Sequence, residues 1–294
     1  MDLEKKNVLK AAITALGGYT PETILSNHKL EQMVDTSDEW IQSRTGIKER
    51  RILADSDKAT SFLAIKAAED LIKKTSLDPK TIDLIIVATI TPDIHVAATA
   101  AYVSSSIGAI NAFAYDLNAA CSGFLYGMST AAAYISSGRY KKVLLIGADK
   151  MSSIVDYTDR NTCIIFGDAG GAVLFEPSSS GYGWEDEYFR SNGTDRMSLR
   201  VKAGGSLFPT TQETLDKGWH YIYQNGTNDS SVELYKIING GHTWPGAAIP
   251  LFENNTNQDF NASEKIWEFF NKYDINGLIN NYHVLSLIMH NQRR

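Results

Sequence analysis

The stretch Asp116-Leu-Asn-Ala-Ala-Cys-Ser-Gly-Phe-Leu-Tyr-Gly127 joins a strand-like apolar run to a helical pattern. Upstream, residues 112–117 predict a strand. Downstream, apolar residues at positions 124, 125, 128, 131, 132 and 135 keep helical spacing and predict a helix. Cys121 is therefore expected in the first turn of that helix. A strand that runs directly into a helix is typical of an α/β fold.

The thiol of Cys121 is expected to face the positive end of the predicted helix, where oriented backbone N–H groups stabilise an anion. A free cysteine is more often a small buried hydrophobe. Here alanine, serine and glycine flank the cysteine, so a substrate can approach it closely. The pattern favours a nucleophile suited to taking acyl groups from thioesters. Cys163, in Thr-Cys-Ile-Ile-Phe, is instead predicted to be buried in a strand.

The same alternation of strands and helices extends over residues 1–175. Predicted strands lie at 8–16, 83–89, 112–117, 142–147 and 172–175, and predicted helices include one around 64–71 and one at 97–107. A glycine turn at 167–171 is expected before the last strand. The run 83–89 is continuously apolar, which predicts a central strand buried on both faces.

The composition narrows the possible functions. The chain has 294 residues and a net charge of -6, with 43% hydrophobic and 21% charged residues. This length can bury a large core, and the acidic balance argues against a nucleic-acid-binding surface. The two cysteines lie in unlike contexts, and neither a signal peptide nor a membrane span is convincing. The protein is therefore predicted to lie in a reducing cytoplasm. The six histidines are scattered, so no metal site is predicted.

Several separated motifs between residues 8 and 226 follow the order of one known family. They are Asp35-Thr-Ser-Asp-Glu-Trp-Ile-Gln-Ser-Arg-Thr-Gly-Ile-Lys-Glu-Arg50, Leu117-Asn-Ala-Ala-Cys-Ser-Gly-Phe124, Thr158-Asp-Arg160, Ile164-Ile-Phe-Gly-Asp-Ala-Gly-Gly-Ala-Val173, Lys202-Ala-Gly-Gly-Ser206 and His220-Tyr-Ile-Tyr-Gln224. On these motifs the chain resembles β-ketoacyl-acyl-carrier-protein synthase III, the initiating condensing enzyme of bacterial fatty-acid synthesis. The resemblance implies a thiolase-like fold, in which two α/β halves form αβαβα layers, and a homodimer.

The resemblance also implies the reaction. Cys121 would accept an acyl group from acetyl-CoA or another short acyl-CoA, for condensation with malonyl-acyl carrier protein. The coenzyme A thioester is then a substrate, and no tightly bound cofactor is expected. The expected partners are acyl-CoA and acyl carrier protein, without nucleic acid or membrane.

Coenzyme A contact is implied by the same resemblance for four residues: Thr36, Trp40, Arg44 and Arg160. The chemistry agrees, because Trp and Arg planes stack on adenine and Arg pairs with phosphate in fork geometry. The alternatives are ordinary structural roles. Trp40 would be a packing residue on a helix at 38–43, and Arg44 would form a surface ion pair, for instance with Glu49.

After about residue 226 the sequence departs from this family. The family's His-Gln-Ala-Asn and Gly-Asn-Thr-Ser blocks, whose His and Asn stabilise the enolate of the condensation step, are absent. Residues 232–273 instead resemble the C-terminal end of a polyhydroxybutyrate-depolymerase or feruloyl-esterase-type α/β-hydrolase. In that family the loop histidine, here His242, is the general base. No Gly-x-Ser-x-Gly elbow accompanies it, so a packed loop histidine is the alternative.

The sequence therefore predicts three segments and leaves three functions open. A thiolase-like half with the nucleophilic cysteine is expected at 1–175, the start of a truncated second half at 176–226, and a hydrolase-like tail at 227–294. The leading function is a synthase III-type acyltransferase whose condensation step lacks the family's His and Asn. The alternatives are an ester or thioester hydrolase that uses His242, and an inactive truncated chimera.

Overall fold

The computed structural model of the chain describes residues 9–178, 180–191, 193–194 and 196–224. Residues Met1–Ser191 and Leu199–Gln224 belong to one structural unit, and the helices and strands below all lie in its described part. The described residues 193–194 and 196–198 belong to a second unit and lie in neither helix nor strand.

Nine strands and seven α-helices lie in the described residues. The strands are β1 (Ala11–Tyr19), β2 (Thr23–Ser26), β3 (Glu49–Ile52), β4 (Leu84–Ala88), β5 (Phe113–Leu117), β6 (Val143–Lys150), β7 (Asp168–Pro177), β8 (Leu199–Val201) and β9 (Ile222–Gln224). The helices are α1 (Asn27–Leu30), α2 (Asp38–Thr45), α3 (Thr60–Thr75), α4 (Thr99–Ser106), α5 (Gly123–Ser136), α6 (Arg160–Cys163) and α7 (Gln212–Asp216).

Five strands form the main sheet, in the order β1-β7-β6-β4-β5. The strands β4, β5 and β6 are parallel, and β7 pairs antiparallel with both β6 and β1. Two further pairs, β2 with β3 and β8 with β9, are separate antiparallel sheets. The parallel strands place their carboxyl ends at one edge, where α/β proteins commonly bind ligands. Cys121 follows β5 at this edge.

Helices cover both faces of the main sheet. Ile85 and Val87 of β4 join α3 and α4 in one apolar cluster, whereas Leu84 and Ile86 join α5 in the other. All four side chains are fully buried. This alternation confirms the predicted central strand and explains why its sequence is continuously apolar.

Helix α5 lies close to the sheet because glycines leave room for it. A Cβ at Gly147 of β6 would lie 2.9 Å from Cδ2 of Phe124, and a Cβ at Gly127 of α5 would collide with the side chain of Leu145. The first residue of α5, Gly123, is buried. The helix that follows Cys121 is therefore seated against the carboxyl ends of the parallel strands.

The predicted glycine turn at 167–171 is wrong in part, because β7 begins at Asp168. Gly170 and Gly171 pair with both β1 and β6. A Cβ at Gly170 would collide with the backbone oxygen of Leu63 in α3. The glycines therefore permit close packing of a helix on a strand, and no chain reversal is needed to explain them.

The predicted strand around Cys163 is also wrong, although its burial is confirmed. Cys163 is the last residue of α6 and is fully buried. The helix forms because Asp159 caps it: its Oδ1 accepts a hydrogen bond from the Asn161 N–H at 3.0 Å. A four-residue helix is too short for its apolar spacing to be recognised in the sequence.

The substitution Gly17→Ala is expected to lower the free energy of unfolding by about 1–3 kcal/mol. A Cβ at Gly17 of β1 would collide with Ala67 O and lie 2.6 Å from Leu71 N, both in the backbone of α3. Either the strand or the helix must then move. Chemical denaturation measures the change, with Gly171→Ala as the matched control because a Cβ there meets no atom within 4 Å. Equal losses in the two variants would contradict this explanation.

Candidate active site

Cys121 lies in a 3₁₀ turn, Ala120–Ser122, between the end of β5 and the start of α5. Its side chain is exposed. No side chain caps the N-terminus of α5, and the first N–H groups of a helix are available to stabilise an anion. The cysteine was expected within the helix itself and lies one short turn before it. The arrangement presents an accessible thiol beside a helix N-terminus.

The backbone next to Cys121 is in an unusual conformation. Ala120 has φ +48°, in the left-handed region, which costs a non-glycine residue about 1–2 kcal/mol. Its N–H donates to Asn118 Oδ1 at 3.4 Å, and the Ser122 N–H donates to Ala119 O at 3.1 Å. Strain of this kind is concentrated at functional sites. The sequence contains no signal for it, because alanine rarely adopts this conformation.

Asp116 fixes the end of β5 that leads to the cysteine. Its two carboxylate oxygens accept hydrogen bonds from the N–H groups of Thr99 and Ala100, at 2.8 and 2.7 Å. These N–H groups are the first two of α4, which has no side-chain cap of its own. The carboxylate therefore stabilises the N-terminus of α4 and ties it to β5.

Asp149 fixes the neighbouring strand ends in the same way. Its Oδ1 accepts hydrogen bonds from the hydroxyls of Thr89 and Thr91, at 2.8 and 2.9 Å. It also accepts from the N–H groups of Ile90 and Thr91, at 2.8 and 3.1 Å. The loop after β4 is therefore held against β6. Four hydrogen bonds to one oxygen give this edge of the sheet a defined geometry.

Trp40 is the centre of a second group of predicted site residues. The guanidinium carbon of Arg160 lies 4.4 Å from the centroid of the Trp40 ring, and that of Arg44 lies 4.9 Å from it. The alternative ion pair of Arg44 with Glu49 is not formed, since Glu49 instead bonds Arg51 at 3.0 Å. Two cationic planes over one indole provide a surface for a flat, anionic ligand.

Local capping brings this group together. The Ser37 hydroxyl caps α2 by accepting a hydrogen bond from the Trp40 N–H at 3.1 Å. Asp159 caps α6 one residue before Arg160. Helix α2 extends to Thr45, beyond the predicted end at 43, and stops at Gly46, which has φ +73°. Both helices pack on one apolar cluster that contains Ile41 and Cys163.

Thr36 precedes α2 and has an unusual environment. Its Oγ1 is buried and has no hydrogen-bond partner in the described part of the chain. A buried hydroxyl without a partner costs about 1–3 kcal/mol. The structure thus places an unsatisfied hydroxyl near the start of the helix that carries Trp40.

The predicted site residues form two groups, not one. No hydrogen bond or ring contact between described residues joins Cys121 to the group around Trp40.

His242 and the whole hydrolase-like segment at 232–273 lie outside the described residues. In the part of the chain that is described, no group of three or more His, Cys, Asp or Glu side chains is placed to hold a metal ion. Within the same residues, no helix is both long enough and apolar enough to span a membrane.

Asn27 and Arg50 are two site neighbours that the sequence pattern does not reveal. Both are almost completely buried, at 1% and 3% exposure. Arg50 lies in Glu49-Arg-Arg-Ile52, which has the composition of an exposed strand. Hydrogen bonds from Asn27 and Gln42 lower the pKa of Asp38, so this carboxyl at the start of α2 is ionised at neutral pH.

Iodoacetamide at pH 7.5 is expected to alkylate Cys121 and to leave Cys163 unmodified in the folded protein. Cys121 is exposed, whereas Cys163 is fully buried. Burial also raises the pKa of the Cys163 thiol, which reduces its reactive thiolate fraction. Peptide mass spectrometry after a short exposure measures both sites, and urea-unfolded protein is the control in which both react. Equal alkylation of the two cysteines in the native protein would contradict the described burial.

Comparison with known proteins identifies the family. A family model described as 3-oxoacyl-[acyl-carrier-protein (ACP)] synthase III matches residues 115–193. The chain is 57% identical over 220 residues to β-ketoacyl-[acyl-carrier-protein] synthase III of Chlorobium chlorochromatii, which covers 74% of this chain and 67% of the relative. It is 51% identical over 218 residues to β-ketoacyl-[acyl-carrier-protein] synthase III 2 of Bacteroides thetaiotaomicron, with 74% and 65% covered.

A solved structure supports the same relationship. The crystal structure of β-ketoacyl-[acyl carrier protein] synthase III from Thermus thermophilus is 40% identical and gives a TM-score of 0.64, covering 73% of this chain and 65% of that one. The chain spans about two thirds of the length of the curated relatives it matches. The predicted family and its mixed α/β fold are therefore confirmed, whereas the truncated second half and the hydrolase-like tail stay predictions. The chain belongs to the β-ketoacyl-[acyl-carrier-protein] synthase III family.

Proposed function

We propose that this protein is an acyltransferase of fatty-acid biosynthesis, which takes a short acyl group from acyl-CoA onto Cys121. The observation that carries the proposal is the exposed thiol at the junction of β5 and α5. Family membership supplies the reaction type, because the relatives are named for acyl-carrier-protein chemistry. A buried thiol at this junction would not support the proposal.

In the first half-reaction the Cys121 sulfur attacks the thioester carbonyl carbon of acyl-CoA. A new carbon–sulfur bond forms to Cys121, and the carbon–sulfur bond to coenzyme A breaks. Coenzyme A leaves as a thiolate and takes up a proton from water. The exposed position of Cys121 gives the thioester access to its sulfur.

Coenzyme A is proposed to bind at the group around Trp40. Its adenine would stack on the Trp40 ring in place of the Arg160 guanidinium, which now lies 4.4 Å from the ring centroid and would move to the other face of the base. Arg44 would pair with phosphate, and Thr36 would bond the nucleotide once its hydroxyl, which is now buried, rotates toward it. Stacking together with two cationic groups suits a flat base attached to phosphates.

In the second half-reaction malonyl-acyl carrier protein is proposed to lose carbon dioxide, and its α-carbon attacks the acyl group on Cys121. A carbon–carbon bond forms, and the Cys121 thiolate is released. Formation of the enolate requires hydrogen-bond donors for its oxygen. The sequence contains neither the His-Gln-Ala-Asn nor the Gly-Asn-Thr-Ser block of the family, so acyl transfer to Cys121 is the better supported step.

We also propose a cytoplasmic homodimer. Among the described strands, β5 lies at an edge of the main sheet, and exposed apolar side chains lie on it or near it in sequence: Tyr102, Ile110 and Phe113. An unpaired edge next to apolar residues is a ready surface for a second copy. Sedimentation equilibrium of the full chain tests this, and a monomer at micromolar concentration would exclude it.

The segment boundaries at 175 and 226 also stay proposals.

Labelling with acetyl-CoA tests the proposed function directly. The full chain is incubated with acetyl-CoA, digested, and analysed by mass spectrometry. One acetyl group on the Cys121 peptide is expected, and none on the Cys163 peptide. Prior treatment with iodoacetamide should prevent the labelling. Absence of acetylation at Cys121, in protein that is folded by circular dichroism, would overturn the proposal.

A further inference from the structure

A chain of buried hydrogen bonds connects the two helices that carry the Trp40 group. The backbone oxygen of Ile164 accepts from Arg50 Nε at 2.9 Å and also from Nη2. Arg50 Nη1 donates to Asn27 Oδ1. Asn27 Nδ2 then donates to Asp38 Oδ1 at 2.8 Å and to Ile47 O at 2.7 Å. We call the two central side chains, Asn27 and Arg50, the Asn27–Arg50 relay.

The two ends of this relay lie close in sequence to Trp40 and to Arg160, the two residues whose side chains contact each other. Asp38 is the first residue of α2, two positions before Trp40. Ile164 directly follows α6, whose first residue is Arg160. A shift of either end would therefore change the contact between the Trp40 ring and the Arg160 guanidinium.

Because Asn27 and Arg50 are buried, their hydrogen bonds hold the ends of the relay in one defined geometry. Asn27 and Arg50 are 1% and 3% exposed, and Arg50 forms no ion pair with a described carboxylate. Its charge is compensated by the Ile164 carbonyl and by the Asn27 amide, which is in turn bonded to Asp38. Apolar side chains of similar size would commonly give equal stability at such a place. What the polar relay adds is a fixed distance and register between its ends.

We propose that the Asn27–Arg50 relay is a positioning device for coenzyme A, which fixes the relative positions of α2 and α6 and, through them, of Trp40 and Arg160. This inference rests on the proposed function, since it concerns the same binding group. The relay side chains are buried, and they act on Trp40 and Arg160 through Asp38 and Ile164. They are positioning residues and do not contact the reacting atoms.

The substitution Asn27→Ala tests this inference. Removal of the amide breaks the relay between Arg50 and Asp38. The acetyl-CoA concentration that gives half-maximal acetylation of Cys121 should rise about five- to tenfold. The limiting acetylation rate should not change. With acetyl-pantetheine, which lacks the adenine nucleotide, neither the concentration nor the rate should change, because this substrate does not use the stack.

Two comparisons separate positioning from general destabilisation. Ser104→Ala removes another buried hydrogen bond, the 2.9 Å contact with Ala109 O in the α4 region, and should affect neither substrate. The double variant Asn27→Ala/Trp40→Ala should be no weaker for acetyl-CoA than Trp40→Ala alone, since the relay acts through Trp40. Equal losses for both substrates, or fully additive losses in the double variant, would overturn the inference.

A milder variant keeps the test valid if Asn27→Ala does not fold. Asp38→Asn retains the shape of the relay's end and removes its charge, so a smaller change of the same kind is expected. Calorimetric titration of the unmodified protein and of the relay variants with coenzyme A distinguishes failure of the proposed binding site from failure of the relay. No binding would reject the proposed coenzyme A site itself. Binding that is equally tight in both relay variants would reject only the relay.

Discussion

Replacement of Cys121 by alanine is expected to reduce acetyl transfer from acetyl-CoA by about 10³-fold or more. The sulfur forms the covalent bond to the acyl group, and no other described cysteine is exposed. Without it, the remaining groups bind and orient the thioester and have no nucleophile to offer. Intact-protein mass spectrometry over a time course measures the transfer.

Cys163→Ala is the matched control for this experiment. It removes the other cysteine, which is buried at the end of α6, and should leave acetylation of Cys121 unchanged in protein that remains folded. Thermal unfolding should show the opposite: Cys163→Ala should lower the melting temperature more than Cys121→Ala. The reason is that loss of a buried side chain leaves a cavity, whereas loss of an exposed one does not. Transfer that persists in Cys121→Ala and disappears in Cys163→Ala would reverse the assignment of the nucleophile.

Replacement of Trp40 by alanine is expected to weaken coenzyme A binding by about 10- to 100-fold. The substitution removes the ring over which the guanidinium groups of Arg44 and Arg160 lie, at 4.9 and 4.4 Å. Adenine would lose its stacking partner, and the two arginines would lose the surface that orders them. Calorimetric titration with coenzyme A measures the dissociation constant.

Two controls accompany the Trp40 variant. Trp40→Phe keeps an aromatic face and should retain most of the affinity. Trp219→Ala removes a different tryptophan that also has a cation over its ring, the Lys202 ammonium at 3.2 Å, and should bind coenzyme A normally. A loss of affinity in Trp219→Ala as large as that in Trp40→Ala would indicate general damage and not a stacking site.

Much of the secondary structure was predictable because it depends on local spacing. The continuous apolar run of β4 reflects a strand buried on both faces, and the helical spacing in α3 and α5 reflects burial that repeats with the period of a helix. Motif order also made the family recognisable. The errors lie where local periodicity does not determine the structure. Gly170 is required because the backbone of α3 packs against it, and the helix that ends with Cys163 is too short to show a helical pattern.

The candidate site was predictable as a set of residues but not as an arrangement. Trp40 and Arg44 are close in sequence, so their contact follows from one helix. Arg160 joins them from another helix, because both helices pack on one apolar cluster. The burial of Asn27 and Arg50 could not be predicted. Arg50 bonds Asn27, which is 23 positions away in the sequence, and Ile164, which is 114 positions away, and these hydrogen bonds compensate an otherwise costly burial.

The amino-acid sequence by itself determined the alternation of strands and helices, the family, and the cysteine at the end of β5, because these depend on residue type and near-neighbour spacing. Tertiary structure alone decided that Cys163 ends a short helix, that Ala120 is held in a left-handed conformation, and that two arginines meet over one indole. The reason is physical. Exposure, strain and contact between distant residues are set by the packing of whole elements, and no local pattern encodes that packing.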